Sequence, residues 1–163
     1  MISAKVIHKQ GKEVDAIIKR MKELDEGYVE VGVLGEGKKY GDSGMTVLGV
    51  ATIHEFGYEG ITKDGRFLSI PERSFIRASF ETYSKGYAEK WSSYIAKAVR
   101  GDISTKTLFK MIGEDAVAHI QEHIDSMKSP PLKASTIEAK GSDKLLVDTG
   151  QLRGSIAYEI KGL

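Results

Sequence analysis

Two stretches decide the fold: SFETYSKGYAEKWSSYIAKAVR, residues 79–100, and STKTLFKMIGEDAVAHIQEHIDSM, residues 104–127. In both, apolar and aromatic side chains recur every three or four residues, which is the period of one face of a helix. Gly101 separates the two patterns, Ser104 or Thr105 is a suitable N-cap for the second, and Pro130 requires it to stop earlier. The sequence therefore predicts two consecutive long helices.

Shorter elements are predicted around these helices. An amphipathic N-terminal helix of about ten to twelve residues ends at Gly27, and its apolar face consists of Val14, Ile17, Ile18, Met21 and Leu24. Residues 28–34 alternate as a half-buried strand does, with Val29, Val31 and Val33 on one face. The remaining patterns predict a helix over 45–56, an irregular edge strand over 67–76, a helical turn at 134–139 and a final strand within 145–160 that includes Leu152.

The order of these elements indicates an α+β fold. Strands and helices do not alternate regularly, so we expect a small antiparallel sheet covered by two long helices plus a shorter N-terminal helix. The chain of 163 residues is long enough to hold its own core, and we predict a single domain over 1–163. The glycine-rich stretch 35–44 and the Lys-, Ser- and Pro-rich stretch 126–144 are predicted to be mobile loops.

Composition excludes several classes of function. With no cysteine, the chain has no disulfide, thiol nucleophile or thiolate metal site. Its 24 basic and 23 acidic residues give a net charge of +1, whereas proteins bound to nucleic acid through phosphates show a basic excess. No apolar run has the length of a membrane span or a signal peptide, so we expect neither a membrane protein nor export by that route.

One motif has the spacing of a metal site. His119, Glu122 and His123 match H-x-x-E-H, in which two histidines one helical turn apart bind zinc and the glutamate activates a water. The site would need a third ligand further along the chain, and the same spacing is equally that of a polar flank on an amphipathic helix. A small zinc hydrolase stays an alternative, but we expect no metal.

Other catalytic patterns are incomplete. The glycines of residues 35–44 have neither the spacing of a P-loop nor that of a dinucleotide-binding turn, so we expect no cofactor. Serine and threonine are common, but none lies in a G-x-S-x-G nucleophile elbow. The chain is therefore predicted not to be an enzyme.

Three segments resemble a known family. They are VATIHEFG at 50–57, IPERSFIR at 70–77, and PPLKASTIEAKG at 130–141 followed by LLVDTGQLRGSI at 145–156. In order and spacing they are similar to the neck and minor tail components of tailed phages, which include the tail-completion proteins and the virion-morphogenesis proteins of Mu-like phages. The resemblance covers residues 29–160, and its most specific part is the last segment.

The resemblance implies a structural virion protein of the head–tail junction, a neck or tail-completion ring. Its partners would be further copies of itself and phage connector, head-closure and tail proteins. DNA passes through such a ring without sequence-specific recognition. The protein would act in the virion, after assembly in the host cytoplasm. The alternative is an assembly module that is absent from the mature particle.

The resemblance also suggests particular residues. Gly57 and Gly150 would allow unusual turns, and Asp148 or Thr149 would cap the turn that follows. Phe75 and Leu152 would anchor their segments to the helices. Guanidinium groups suit carboxylates at interfaces, so three arginines are candidates for contacts between subunits: Arg73, Arg77 and Arg153.

Overall fold

The computed structural model describes residues 2–34, 37–41, 44–146 and 150–163. It confirms the α+β class, a mixture of helix and strand in which helix predominates. The helices are α1 (Ile2–Glu26), α2 (Val47–Phe56), α3 (Arg77–Arg100), α4 (Thr105–Ser126), α5 (Ala134–Lys140) and α6 (Gln151–Gly154). The strands are β1 (Tyr28–Val33), β2 (Tyr58–Ile61), β3 (Phe67–Ile70) and β4 (Ile156–Lys161). They pair as two two-stranded sheets, β1 with β4 and β2 with β3.

The chain divides into two compact units, each built from segments that are distant in sequence. Unit 1 contains Met1–Glu30, Lys85–Glu114 and Glu159–Leu163, and unit 2 contains Val31–Ser84 and Asp115–Tyr158. The single domain expected over residues 1–163 stays a prediction.

Unit 2 has an apolar core built by α2, α4, the segment before α3 and the C-terminal part of the unit. Helix α2 supplies Val47 and Ala51, α4 supplies Ile120 and Ile124, and the segment before α3 supplies Phe75. The C-terminal part of the unit adds Leu145, Leu146, Leu152 and Ile156. Burial of such side chains stabilises a fold by about 1.5–3 kcal/mol each, so this cluster is what holds the unit together.

Unit 1 is held by α1 against the adjoining parts of α3 and α4. Gly27, directly after α1, leaves no room for a side chain because the Phe109 ring lies against its Cα. The Arg20 guanidinium donates to the Val99 carbonyl over 3.1 Å, and the Thr105 hydroxyl donates to the Glu23 carboxylate over 2.8 Å. One face of α1 is thus fixed to its own unit.

Most element boundaries agree with the sequence. Helices α3 and α4 lie where they were expected, and Ser104 Oγ accepts from the Thr107 amide in the first turn of α4. Helix α1 begins at Ile2 and is longer than expected. Leu152 lies in the helical turn α6 rather than in the final strand, because Gly150 adopts a φ of 74° and starts a turn before β4.

The two predicted loops contain some regular backbone structure. Residues 35, 36, 42 and 43 lie outside the described part of the chain; beside them, Lys39 forms a bridge with Thr46. The stretch 126–144 contains α5 and a cis peptide bond between Ser129 and Pro130. The mobility of both stretches stays a prediction.

Candidate functional site, a polar junction of three sequence segments

A buried carboxylate joins the first two segments of the family resemblance. Glu55, near the end of α2, is only 5% exposed. Its Oε2 accepts from the Ile76 amide over 2.9 Å and its Oε1 from the Arg77 amide over 3.0 Å. These amides are at the start of α3, where backbone N–H groups have no partner within the helix and carry the positive end of its dipole. Glu55 is therefore a side-chain cap for α3.

The side chain of Arg77 also binds the Glu55 carboxylate. Its Nε donates to Glu55 Oε1 over 3.0 Å, and its Nη2 donates to the Glu55 carbonyl and the Glu72 carboxylate, both over 2.8 Å. Its guanidinium also lies over the Phe56 ring, 4.8 Å from the ring centroid. The hydrogen bond to Glu55 raises the pKa of Arg77 above its usual value. Arg77 keeps about half of its side chain exposed.

Arg73 connects the second segment to the third. It is 5% exposed, and burial lowers the pKa of its guanidinium. Nε donates to the Pro130 carbonyl over 3.1 Å and Nη2 to the Pro131 carbonyl over 3.3 Å. Its backbone amide donates to the His54 carbonyl over 2.7 Å. Arg73 thus connects all three segments within unit 2. We call the network of Glu55, Arg73 and Arg77 the polar junction.

Gly57 permits this close arrangement. It has a φ of 74°, and an added Cβ would come within 3.0 Å of the Glu72 amide nitrogen. A side chain would be strained by the backbone conformation and crowded by the neighbouring segment. The glycine that ends the first segment is therefore required where the second segment passes it.

Arg153 makes a separate ion pair. Its Nε and Nη2 bind both carboxylate oxygens of Asp125 over 2.8–3.0 Å. The Arg153 carbonyl accepts from Gln121 over 3.2 Å, so α6 is attached to α4. Gln151 in the same turn donates to the Lys39 carbonyl and accepts from the Gly41 amide.

The candidate residues from the sequence thus have different surroundings. Phe75 and Leu152 lie in the core of unit 2, and Gly150 has the positive φ of an unusual turn. Arg73 uses its donors within its own chain, whereas Arg77 and Arg153 combine internal ion pairs with exposed surface. The two proposed capping residues, Asp148 and Thr149, lie outside the described residues. A contact of the three arginines with another subunit stays a prediction.

The sequence patterns do not predict the structural roles of three residues in this network: Glu55, Asp125 and Gln151. Each bonds to a partner far away along the chain, so local spacing does not mark it.

The zinc-type motif lies in ordinary helix packing. The His119 ring stacks on Tyr83 with centroids 4.1 Å apart and planes 5° from parallel. Burial, followed by a hydrogen bond to Glu122, raises the pKa of Tyr83 above its usual value. Within the described ranges, no three His, Asp or Glu side chains are grouped so that they could hold a metal ion.

This arrangement can hold segments together, and its charged groups are engaged in doing so. The Glu55 carboxylate binds two amides and a guanidinium, and the Arg73 guanidinium binds two carbonyls. Buried polar groups that are paired in this way link the segments structurally.

Comparisons with protein-family models, curated proteins and solved structures found no match to this chain. Among the helices of the described residues, none combines the length and the apolar character needed to cross a membrane.

Proposed function

We propose that this protein is a structural component of a tailed-phage particle, a neck or tail-completion protein that works as a ring of copies at the head–tail junction. The proposal starts from the resemblance of the three segments in sequence. The polar junction supports it, because those segments bond to one another and use their charged groups for structure. A chain whose motifs stabilise a scaffold is suited to building an assembly.

The observation that carries the proposal is the β2–β3 hairpin. Its strands pair from Tyr58 with Ile70 to Ile61 with Phe67, next to the connecting turn. Ile61 is 74% exposed and Phe67 is 71% exposed, on the same face of the hairpin. An isolated two-stranded hairpin is marginally stable in water, so one with apolar side chains at its tip gains from being covered.

The apolar surface continues on the other face of the hairpin. Tyr58 and Leu68 are also exposed there, and Phe56 is exposed just before β2. An arm with apolar side chains on both faces suits insertion between two neighbouring surfaces, as in a ring where each copy contacts the next. We therefore assign the hairpin to the contact between subunits or to the contact with the adjoining phage ring.

Negative-stain electron microscopy and native mass spectrometry test this proposal. The purified chain is measured alone and mixed with the connector and tail proteins of its phage. We expect ring-sized assemblies, larger than a dimer, in at least one of these mixtures. Monomers or dimers in every mixture would overturn the ring.

Substitutions then test the role of the hairpin. The double variant Ile61→Ser with Phe67→Ser should lose the assembly and keep its helical circular dichroism, because both side chains are exposed. Ile95→Ser is the matched control, since Ile95 is an exposed apolar residue outside the hairpin. An assembly that survives the double variant, or is lost equally in the control, would remove the hairpin from the contact.

Mass spectrometry of purified phage particles separates the main alternative. A virion component is present there in many copies, whereas an assembly module is absent from mature particles. Its absence would contradict a role in the finished head–tail junction.

A further inference from the structure

Helix α1 has an unusual division of its two faces. The face fixed to unit 1 is polar or small. Arg20, Glu23 and Gly27 make its contacts, the half-buried Ala16 lies on the same face, and each of the four is about one helical turn from the next. Ala16, Glu23 and Gly27 lie on the side opposite to Val14, Ile18 and Met21, and Arg20 lies at the edge between the two faces. The packing of the helix within its own unit thus leaves the apolar face outside.

The exposed apolar residues form a continuous stripe. Val14, Ile17, Ile18 and Met21 are between 39% and 56% exposed, and they follow the i, i+3, i+4, i+7 spacing of one helix face. Leu24 extends the stripe and is half-buried. A stripe of this kind is typical of a helix that packs against another helix. We define the apolar stripe of α1 as these five residues.

The charges beside the stripe are arranged for self-association. Asp15 and Lys22 lie on one edge, two turns apart, and Glu13 and Arg20 lie on the other edge with the same separation. On both edges the acidic residue comes first in the chain. In a parallel pair of these helices like charges would meet, whereas in an antiparallel pair each acid lies beside a base.

We infer that the apolar stripe of α1 binds the same stripe on a second copy of this chain, with the two helices antiparallel. The two-fold axis passes near Ile17 and Ile18, so Val14 faces Met21 of the partner subunit and Asp15 lies beside Lys22 of the partner subunit. Arg20 also bonds to the Val99 carbonyl, so the Asp15–Lys22 pair carries the charge argument.

This contact goes beyond the proposed ring. It has two-fold symmetry, whereas neighbours in a ring meet through two different surfaces. The antiparallel dimer is therefore a separate property, and it holds even if the ring proposal fails. Conversely, ring-sized assemblies can form without the antiparallel dimer, so a failure to find the dimer would not overturn the ring.

The size of the stripe sets the expected affinity. From residue 14 to residue 24 the helix rises about 15 Å. The contact is smaller than a standard interface, which buries about 800 Å² on each partner. We therefore expect a dissociation constant on the order of 10 µM and a dimer that dissociates on dilution.

Analytical ultracentrifugation over concentrations from about 1 µM to about 200 µM brackets this constant. The intact chain should pass from monomer to dimer. Ile18→Lys places two charges at the two-fold axis, and we expect the dissociation constant to rise at least about tenfold. Ile95→Lys is the matched control, because Ile95 on α3 is 44% exposed and Ile18 is 47% exposed.

The result would overturn the inference in three cases: a monomer at every concentration, an unchanged dimer in Ile18→Lys, or an equal loss in Ile95→Lys. Thermal unfolding followed by circular dichroism verifies that both variants remain folded. The charge pair is tested in the same way. Asp15→Lys should weaken the dimer by up to about fivefold, and Asp15→Lys combined with Lys22→Asp should restore it.

Disulfide formation tests the orientation, and the chain is suited to it because it contains no cysteine. Variants Val14→Cys and Met21→Cys are oxidised separately and as a mixture. An antiparallel pair gives cross-linked dimers mainly in the mixture, since a disulfide needs Cα atoms within about 7 Å. Cross-linking of each variant mainly with itself would indicate a parallel pair and would contradict the inference, as would no cross-linking at all.

Discussion

The polar junction of unit 2 and the apolar stripe of α1 in unit 1 reverse the usual distribution of side chains. In the junction, the charged Glu55 and Arg73 are buried and find their partners within the chain. On α1, aliphatic side chains stay exposed while polar ones contact the rest of the unit. The charged groups of the junction are paired within one chain. The apolar side chains of the stripe become buried only when another surface covers them.

The largest expected effect contrasts a core phenylalanine with an exposed one. Phe75→Ala should lower the free energy of unfolding by about 3–5 kcal/mol, because the fully buried ring leaves a cavity between α2 and α4. Phe67→Ala removes the same aromatic ring from the exposed hairpin tip and should change the free energy of unfolding by at most about 0.5 kcal/mol. Urea unfolding measures both. Equal losses would mean that the hairpin is covered within the chain itself.

A smaller effect is expected from the cap of α3. Glu55→Gln keeps the shape of the side chain but replaces one carboxylate oxygen with an NH2 group, which cannot accept a hydrogen bond. One of the two backbone amides, that of Ile76 or that of Arg77, then loses its acceptor. We expect a loss of about 1–3 kcal/mol in urea unfolding. Glu72→Gln is the control, because Glu72 also binds Arg77 but is exposed, and it should cost at most about 0.5 kcal/mol. If Glu55→Gln leaves the free energy of unfolding unchanged, the stability of the junction does not depend on the negative charge of Glu55.

The smallest effect concerns pH. Burial and the hydrogen bond to Glu122 raise the pKa of Tyr83, so the folded state holds this proton more tightly than the unfolded state. The stability that this difference contributes is fully present below about pH 10, the pKa of a tyrosine in the unfolded chain. It is lost as the pH rises through the higher pKa of Tyr83 in the folded state. Melting temperatures from pH 8 to pH 11 should therefore fall less steeply in Tyr83→Phe than in the intact chain. The same slope in Tyr83→Phe and in the intact chain would contradict this expectation.

The regular elements could be predicted because local spacing determines them. The alternating valines of β1, the long periods of α3 and α4, and Ser104 before α4 all act within a few residues of themselves. The apolar period of α1 begins at Val14, so the pattern predicts a later start than Ile2. Even spacing in a short segment suits both a strand and a turn, so the pattern predicts a strand at Leu152 where the chain forms the turn α6.

The site could be predicted only in part, since its bonds join distant residues. The sequence singled out Arg73 and Arg77 through the family resemblance, but it did not give their partners Glu55, Pro130 and Pro131. Pairing over such separations depends on how the segments fold together. The apolar face of α1 was also evident from the sequence, whereas its exposure was not, because periodicity does not specify which surface a helix face meets.

The pairing of β1 with β4 affects how the chain is made. More than a hundred residues separate the two strands, so β1 leaves the ribosome long before its partner is synthesised. At a rate of about 5–20 residues per second, its edge stays open for at least about 6 seconds. During translation this strand is therefore open to mispairing with other nascent chains until β4 has been synthesised.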